Sequence, residues 1–504
     1  MDDESIIALV KETQTLRKET QDLRTEVLEL KKQLPKKPKI AQQVKPEKKR
    51  TATKKATKTK EGANTDKAPS KQSNISQNNK KPNLGGIPVI ISPDLGITQA
   101  YNGSNLLTNL TQANADLLAL QYRQEIENSF TAKEGKPSEY YLVLSGSLGP
   151  QVSSTRPYID SSISDIDLVT ANITALAGVG KWATGFFSFD YDNLPPNGFN
   201  PPQIGPRFRN SRVYLDQGFI SLGNLNKINW YVSAGQMYLP FGQFNGFMIN
   251  SPVTSSLFTT IERPVLLGYS QHKGSTELDA EIYGYQGDTI MSPNSTVINE
   301  WGASVDYLIS KTNWNADIGL GYISNIADSE GIQLNSQSAQ LCTIFGGLAF
   351  PCNNGNVLVH RVPGFNAHAS LTIGPYSFVS EYITGTRGFS PIDMTFNNKG
   401  AKPRAFDIEG SYEFSLFDKP SNIAIGYSFT KEALALLLPA QQYIITFTTS
   451  LWRNTTESVG FQHDINYGRF DTATGQQLPI YFPGDRRNLG KSSNSAILAI
   501  NISF

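Results

Sequence analysis

From Glu139 to the C-terminus, apolar and polar residues alternate with a period of two, the pattern of strands that carry one apolar face. Trp301, Ala303, Val305, Tyr307 and Ile309 share one face, with Gly302, Ser304 and Asp306 between them. Trp314, Ala316, Ile318, Leu320 and Tyr322 repeat the arrangement against Asn315, Asp317, Gly319 and Gly321. Phe406, Ile408, Tyr412, Phe414 and Leu416 do the same against Asp407, Glu409, Ser411, Glu413 and Ser415. About sixteen such segments can be laid out, the first over 139–147 and the last over 493–504. Alternation by itself suits a water-soluble sandwich as well as a membrane barrel. Two further features separate them. Short connections (178–180, 224–225, 274, 311–312, 374–375, 418–420, 454–455) alternate with long ones rich in Gly, Pro and Asn, as a barrel with one short-turned and one long-looped rim requires. The last residues read AILAINISF, with Ala496, Leu498, Ile500, Ile502 and Phe504 on one face, an ending that matches the C-terminal assembly signal of outer-membrane barrels. The expected fold class is therefore an all-β transmembrane β-barrel of about 16 antiparallel strands, spanning 139–504.

The N-terminal part follows other periods. Residues 1–34 predict an α-helical coiled coil. Ile6, Thr13, Thr20, Val27 and Leu34 occupy position a of a heptad, and Leu9, Leu16, Leu23 and Leu30 occupy d. Glu12, Glu19 and Glu26 at g face Arg17, Arg24 and Lys31 at e, which favours parallel self-association through Ile6, Leu9, Leu16, Leu23, Val27, Leu30 and Leu34. Pro35 ends the helix, and 35–82 is nearly free of apolar residues, the composition of a disordered, extended linker. Residues 83–138 form a pre-barrel segment in which 104–128 predicts a helix carrying Leu106, Leu107, Leu110, Leu117, Leu118 and Leu120. That helix either plugs or caps the barrel mouth or merely bridges to it.

Charge sharpens the division. Between Pro35 and Pro82 lie 14 Lys and one Arg against three acids, a net of +12, while the whole chain carries +1 and the remainder therefore −11. A basic arm on an acidic body implies separate tasks. The arm lacks interleaved aromatics, so no specific nucleic-acid binding is expected; in a periplasm its polyanionic neighbours are the cell wall and the inner leaflet. No run approaches the roughly 20 apolar residues of a membrane helix. The chain opens Met-Asp-Asp-Glu, without the basic and apolar regions of a signal peptide, so an exported barrel would begin here near its mature N-terminus.

The polar face supplies the candidate chemistry. Glu277, Asp279, Glu281, Asp306, Asp317, Asp407, Glu409, Glu413 and Asp464 are expected to line an acidic, cation-attracting lumen. Arg207, Arg209, Arg212, Arg361 and Arg387 are the basic partners available for a transverse field. The segment 242–264 connects the fifth and sixth strands as the third long loop. It follows Leu239-Pro240-Phe241-Gly242, a turn similar to the one that precedes the inward-folded third loop of general porins, and it predicts Glu262 or Arg263 at a constriction. Cys342 and Cys352, ten residues apart in a long loop, are candidates for a disulfide in an oxidising compartment. His463 and Asp464 are neighbours on a strand and so point to opposite faces, which argues against an acid–base pair. With no Gly-rich phosphate loop and no zinc spacing, neither an enzyme nor a cofactor nor a metal site is expected.

Three runs, 165–193 (DIDLVTANITALAGVGKWATGFFSFDYDN), 228–270 (INWYVSAGQMYLPFGQ onward) and 430–467 (TKEALALLLPAQQYIITFTTSLWRNTTESVGFQHDINY), together with 92–128, resemble an outer-membrane barrel family of γ-proteobacterial intracellular pathogens. The resemblance covers roughly 90–504. It implies an outer-membrane barrel and brings no catalytic residues. Some relatives look like tethers whose periplasmic extension joins the barrel to peptidoglycan, and Lys11, Lys48, Lys49, Lys54 and Lys55 are the matching contact candidates here. The expected function is a porin-like channel for small hydrophilic solutes, assembled as a homo-oligomer, a trimer in the first instance. Its surroundings would be outer-membrane lipid and lipopolysaccharide, and its arm would touch the cell wall. The alternative is a structural tether whose barrel is mainly an anchor.

Overall fold

The computed structural model describes residues 83–84, 87–91, 114–134, 139–159, 161–192, 212–291, 297–337, 357–473 and 486–504. The coiled coil, the lysine arm, Cys342, Cys352, Arg207 and Arg209 lie outside the described residues.

Sixteen strands run as an antiparallel meander: β1 (Tyr140–Arg156), β2 (Ile163–Val179), β3 (Ala183–Asp192), β4 (Arg212–Leu222), β5 (Trp230–Tyr238), β6 (Val265–Lys273), β7 (Thr276–Tyr285), β8 (Glu300–Ser310), β9 (Trp314–Ile323), β10 (Gly364–Ile373), β11 (Tyr376–Gly385), β12 (Arg404–Leu416), β13 (Lys419–Lys431), β14 (Gln441–Thr449), β15 (Thr455–Ile465) and β16 (Ser492–Ser503). Each pairs with the next, and β16 closes on β1 from Asn494↔Arg156 to Ser503↔Ser147. Closure leaves the wall without a free edge strand, the condition for crossing lipid with strands. No described helix is long and apolar enough to cross a membrane.

β1 runs to Arg156, well past the segment 139–147 that the pattern gives. Gly149 and Pro150 interrupt the alternation, and the register to β2 shifts between them. Proline has no N–H to give to a ladder and is tolerated at such a bulge. The tight turns at the short rim use left-handed residues: Gly180, Gly274, Gly374, the pair Phe417–Asp418, and Asn454.

The outside of the wall is apolar. Ile166, Ile173, Ile220, Ile282, Ile318, Ile425 and Val459 are all more than half exposed. All five Trp of the chain stand outside: Trp182, Trp230, Trp314 and Trp452 at the short-turn rim, Trp301 at the other. An apolar exterior with an aromatic girdle is the arrangement of a barrel standing in lipid. The buried core, by contrast, lies inside the barrel.

Two seams close the short-turn end. Phe504 exchanges backbone hydrogen bonds with Gly146, at 2.9 Å in each direction. Beyond the end of β16, Leu142–Leu144 of β1 would face an empty edge; the pre-barrel strand Ile87–Ile91 fills it in parallel, with Val89 opposite Leu142. The helix α1 spans Ala115–Glu134; the expected helix 104–128 is described from 114 on. It starts after Asn114, which has φ 62°, and no Pro or Gly interrupts it before Gly135. Residues 92–113 are outside the described set.

Candidate functional site in the barrel lumen

The third long loop, 239–264 (L3), leaves β5 at its outer end and turns into the lumen. Gly242 makes the turn at φ +97°, where an added Cβ would stand 2.5 Å from the Phe244 ring. From there the backbone crosses to the opposite wall. A chain in the open lumen has amides that no ladder satisfies, and the wall provides acceptors for them. Glu381 on β11 accepts from the Gln243 amide at 2.8 Å and from Phe244 at 3.1 Å. Glu409 on β12 accepts from Phe247. Thr446 Oγ1 on β14 accepts from Ile249 at 3.2 Å, and Gln462 on β15 accepts from the Asn250 side chain at 2.6 Å. Gly460 clears space for Ile249, whose Cγ2 would lie 2.6 Å from a Cβ there. The loop returns through the one-turn helix α2 (Val253–Phe258), packed on β11, β12 and β13. Ser329 Oγ and the Glu330 amide, the latter at the start of α3 (Glu330–Gln337), bond the Leu257 and Thr259 carbonyls.

α1 enters from the other end. Leu117 and Leu120 join the same apolar cluster as Phe241, Phe244, Leu257 and Phe258 of L3. Ala119 and Phe130 pack on Tyr141, Val143, Leu176, Phe219 and Met237 of the wall. Arg123 is buried. It donates to the carbonyls of Gly180 at 2.8 Å and Ala183 at 2.7 Å, to Thr184 Oγ1 at 3.1 Å and to Glu127 at 2.7 Å. Gln121 donates to Glu277 at 2.8 Å. Of the readings open to the pre-barrel helix, the plug matches this geometry: it occupies the lumen.

The expected acidic residues do face inward, but most are covered. Asp279 is 5 % exposed, Glu281 3 %, Asp306 4 %, Asp407 2 % and Glu409 2 %. These five are therefore not an acidic lining open to ions: L3 takes up Asp306 and Glu409, and Glu281 and Asp407 are bonded within the wall. Four of the expected acids, together with Glu381 and His368, stand on one line of cross-strand partners, running Asp279, Asp306, Gly319, His368, Glu381, Asp407, Ser428, Gln442, Asp464. Asp407 accepts from Ser428 Oγ, and half-buried Asp464 from Gln442 and Gln462. Tyr231 donates to Glu281. Asp317 and Glu413 are half-buried, each with a buried oxygen lacking a partner. Glu381 and His368, central to this line, were missed. Alternation marks them as inward-facing, since they alternate with the outward Phe378, Val379 excepted, and with Ala369; only their cross-strand register reveals the role.

Of the constriction pair, Glu262 is buried at the root of L3, accepting from the Asp288 amide at 3.2 Å. Burial, then the negative charges of Asp288 and Asp328, push its carboxyl up to about 8. Arg263 is exposed and bonded to Gln236 at 3.1 Å. Nearby Asp328 accepts from the amide and hydroxyl of Thr289, and burial raises it to about 7. Arg361 pairs with Glu300 in the loop region, and exposed Arg387 bonds the Arg361 carbonyl, so neither forms an opposing charge across the lumen. His463 bonds Asn494 and neighbours outward Tyr443, while Asp464 bonds the inward Gln462.

The half of the lumen toward β1, β15 and β16 is lined differently. Gln151, Ser153, Thr155, Gln462 and Ser495 are half-buried and polar, with half-buried Asp167 and Asp165 opposite Gln151 and Ser153 on β2 and Asp464 beside Gln462 on β15.

No protein-family model matches the chain. It is 33 % identical over 425 residues to a UPF0422 protein of Legionella pneumophila strain Lens, covering 84 % of this chain and 77 % of that one. It is 34 % identical over 418 residues to a UPF0422 protein of Coxiella burnetii, covering 82 % and 83 %. Among solved structures, an anion-selective porin from Comamonas acidovorans superposes with TM-score 0.44 at 11 % identity, over 73 % of this chain and all of that one.

Proposed function

The chain belongs to the UPF0422 family, and from that premise we propose that it is an outer-membrane, porin-like channel for small hydrophilic solutes whose lumen is narrowed from both ends. The observation that carries this reading is L3 crossing the lumen and binding the far wall through Glu381 and Glu409. The passage then runs beside L3 and α1, along the polar strip of Gln151, Ser153 and Thr155, with Asp167 and Asp165 opposite the first two. In the same proposal the N-terminal heptads hold a homo-oligomer, trimeric in the first instance. The lysine arm lies in the periplasm and contacts peptidoglycan through residues such as Lys11, Lys48, Lys49, Lys54 and Lys55, and Cys342 and Cys352 form a loop disulfide. The deciding measurement is single-channel conductance of folded protein in a planar bilayer. Small conductance steps are expected. Silence from protein with heat-modifiable gel mobility overturns the channel.

A second reading is the tether, with the barrel as its membrane anchor. What favours it is the way the pre-barrel segment is fastened: Ile87–Ile91 is hydrogen-bonded into the wall beside β1, and Arg123 grips the β2–β3 turn. Load on the arm would pass into the wall. Deleting residues 1–82 should leave conductance unchanged under either reading, and only under the second should it produce blebbing and detergent sensitivity in cells.

A further inference from the structure

We propose that Asp306, Asp317 and His368 form a binding site for a first-row divalent cation on the lumen wall beneath L3. The three residues come from adjacent strands β8, β9 and β10, and their ligand atoms all lie within 4.8 Å of one another. The middle strand is cleared at this point. Gly319 lies directly between Asp306 and His368 in register, and a Cβ there would stand 2.2 Å from both Asp306 Oδ1 and His368 Nε2. The two atoms thereby approach to 2.8 Å across the glycine.

The hydrogen bonds around His368 orient it for a metal. Its Nδ1 stands 3.0 Å from Asn366 Oδ1. Asn366 must present its oxygen there, because its Nδ2 is donated to the carboxylate of Glu381 at 2.7 Å. The proton of a neutral imidazole therefore sits on Nδ1, and Nε2 turns its lone pair toward a carboxylate oxygen. In the metal-free protein a proton on Nε2 closes this 2.8 Å contact as an ion pair, and a divalent cation would displace that proton and take its place between the two atoms. Bonds of about 2.0–2.1 Å from zinc to imidazole nitrogen and carboxylate oxygen span such an edge at close to a right angle, and a few tenths of an ångström of opening gives a tetrahedral angle. The outer partner that fixes the ring tautomer is a recurring feature of metal-bound histidine.

Two independent observations point to a missing ligand. Asp317 Oδ1 is buried without a hydrogen-bond partner. A cavity of about 10 Å³ lies at the site, lined by Asp317, His368, Gln243 and Glu381, with room for one water or one ion. The mixed imidazole and carboxylate donors suit zinc or manganese better than calcium, which takes oxygen ligands. The site is also wired to L3: Gln243 Nε2 donates to Asp306 Oδ1 at 3.1 Å. The proposal does not depend on whether the lumen conducts.

The test uses the full-length protein, folded in detergent, carrying no polyhistidine tag and stripped with chelator. Titration calorimetry with zinc sulfate, checked by metal analysis after gel filtration, should give one ion per chain. Asp317→Asn and His368→Gln, each shown by heat-modifiable mobility to be folded, should lose at least about tenfold in affinity, the loss that removing even an outer partner produces. Cobalt substitution should give visible absorption bands that vanish in His368→Gln. Should the wild-type bind no stoichiometric zinc, cobalt or manganese, or should both folded variants bind as tightly as wild-type, the site is overturned.

Discussion

The two elements that fill the lumen are held by opposite chemistry. L3 is seated through its backbone: the amides of Gln243, Phe244 and Phe247 end on carboxylates that the wall buries for them. α1 is seated through side chains, by apolar packing along its length and by one buried arginine gripping the carbonyls of a turn. A backbone seat is indifferent to the identity of the loop residues and needs acids at fixed positions on the wall. A side-chain seat depends on a few residues of the helix and leaves the wall free to vary. L3 therefore belongs to the barrel as built, whereas α1 is an inserted part that one change can release.

The largest effect should come from L3. Excising Gln243–Asn250 and bridging the ends with glycines removes the whole crossing while leaving α2 and the wall intact. Conductance should rise severalfold. An unchanged conductance from a folded variant would place the resistance elsewhere, at α1, and invert the comparison.

Arg123→Met should act locally and more weakly. It preserves length and apolar contact but leaves Glu127 and the Gly180 and Ala183 carbonyls without their donor. Breaking a buried ion pair by removing one partner costs about 3–5 kcal/mol, which falls on the docking of α1 rather than on the barrel. Limited proteolysis from the short-turn side should cut within α1 while the barrel keeps its heat-modifiable mobility. If α1 stays as resistant as in wild-type, the helix is held by packing alone.

Much of the wall was legible because lipid imposes a strict period of two. Ile318 and Leu320, or Ile408 and Tyr412, cannot turn inward without exposing Asp317 or Glu409 to hydrocarbon. The interior was less legible because its contacts are long-range. Nothing local distinguishes Glu409, which holds the Phe247 amide from 162 positions away, from an acid facing open water. Likewise Asp306, Asp317 and His368 show no metal spacing along the chain, since a cross-strand site is read across the ladder. For the pair Glu262 or Arg263, a one-residue step on a strand reverses the face, so only one of the two can turn inward, and the pattern alone does not say which.

The smallest effect, and the one that tests how firmly the backbone seat is rooted, is that of pH. Glu262 and Asp328 at the base of L3 have carboxyls raised to about 8 and about 7, chiefly by burial and then by neighbouring negative charge. Unfolded carboxyls titrate near 4, so between about pH 4 and pH 8 the folded root holds more protons than the unfolded one. By linkage its stability is greatest in acid and falls as pH rises through 7 to 8. Glu262, Asp288 and Asp328 would then repel one another, with only exposed Arg263 to offset them at Glu262. Conductance should increase modestly from pH 5 to pH 9 as the root loosens. Glu262→Gln keeps the acceptor for the Asp288 amide and cannot ionise, so it should flatten that rise. If wild-type and Glu262→Gln show the same pH profile, the acids at the root do not govern L3, and the carboxylates of the far wall alone hold it in place.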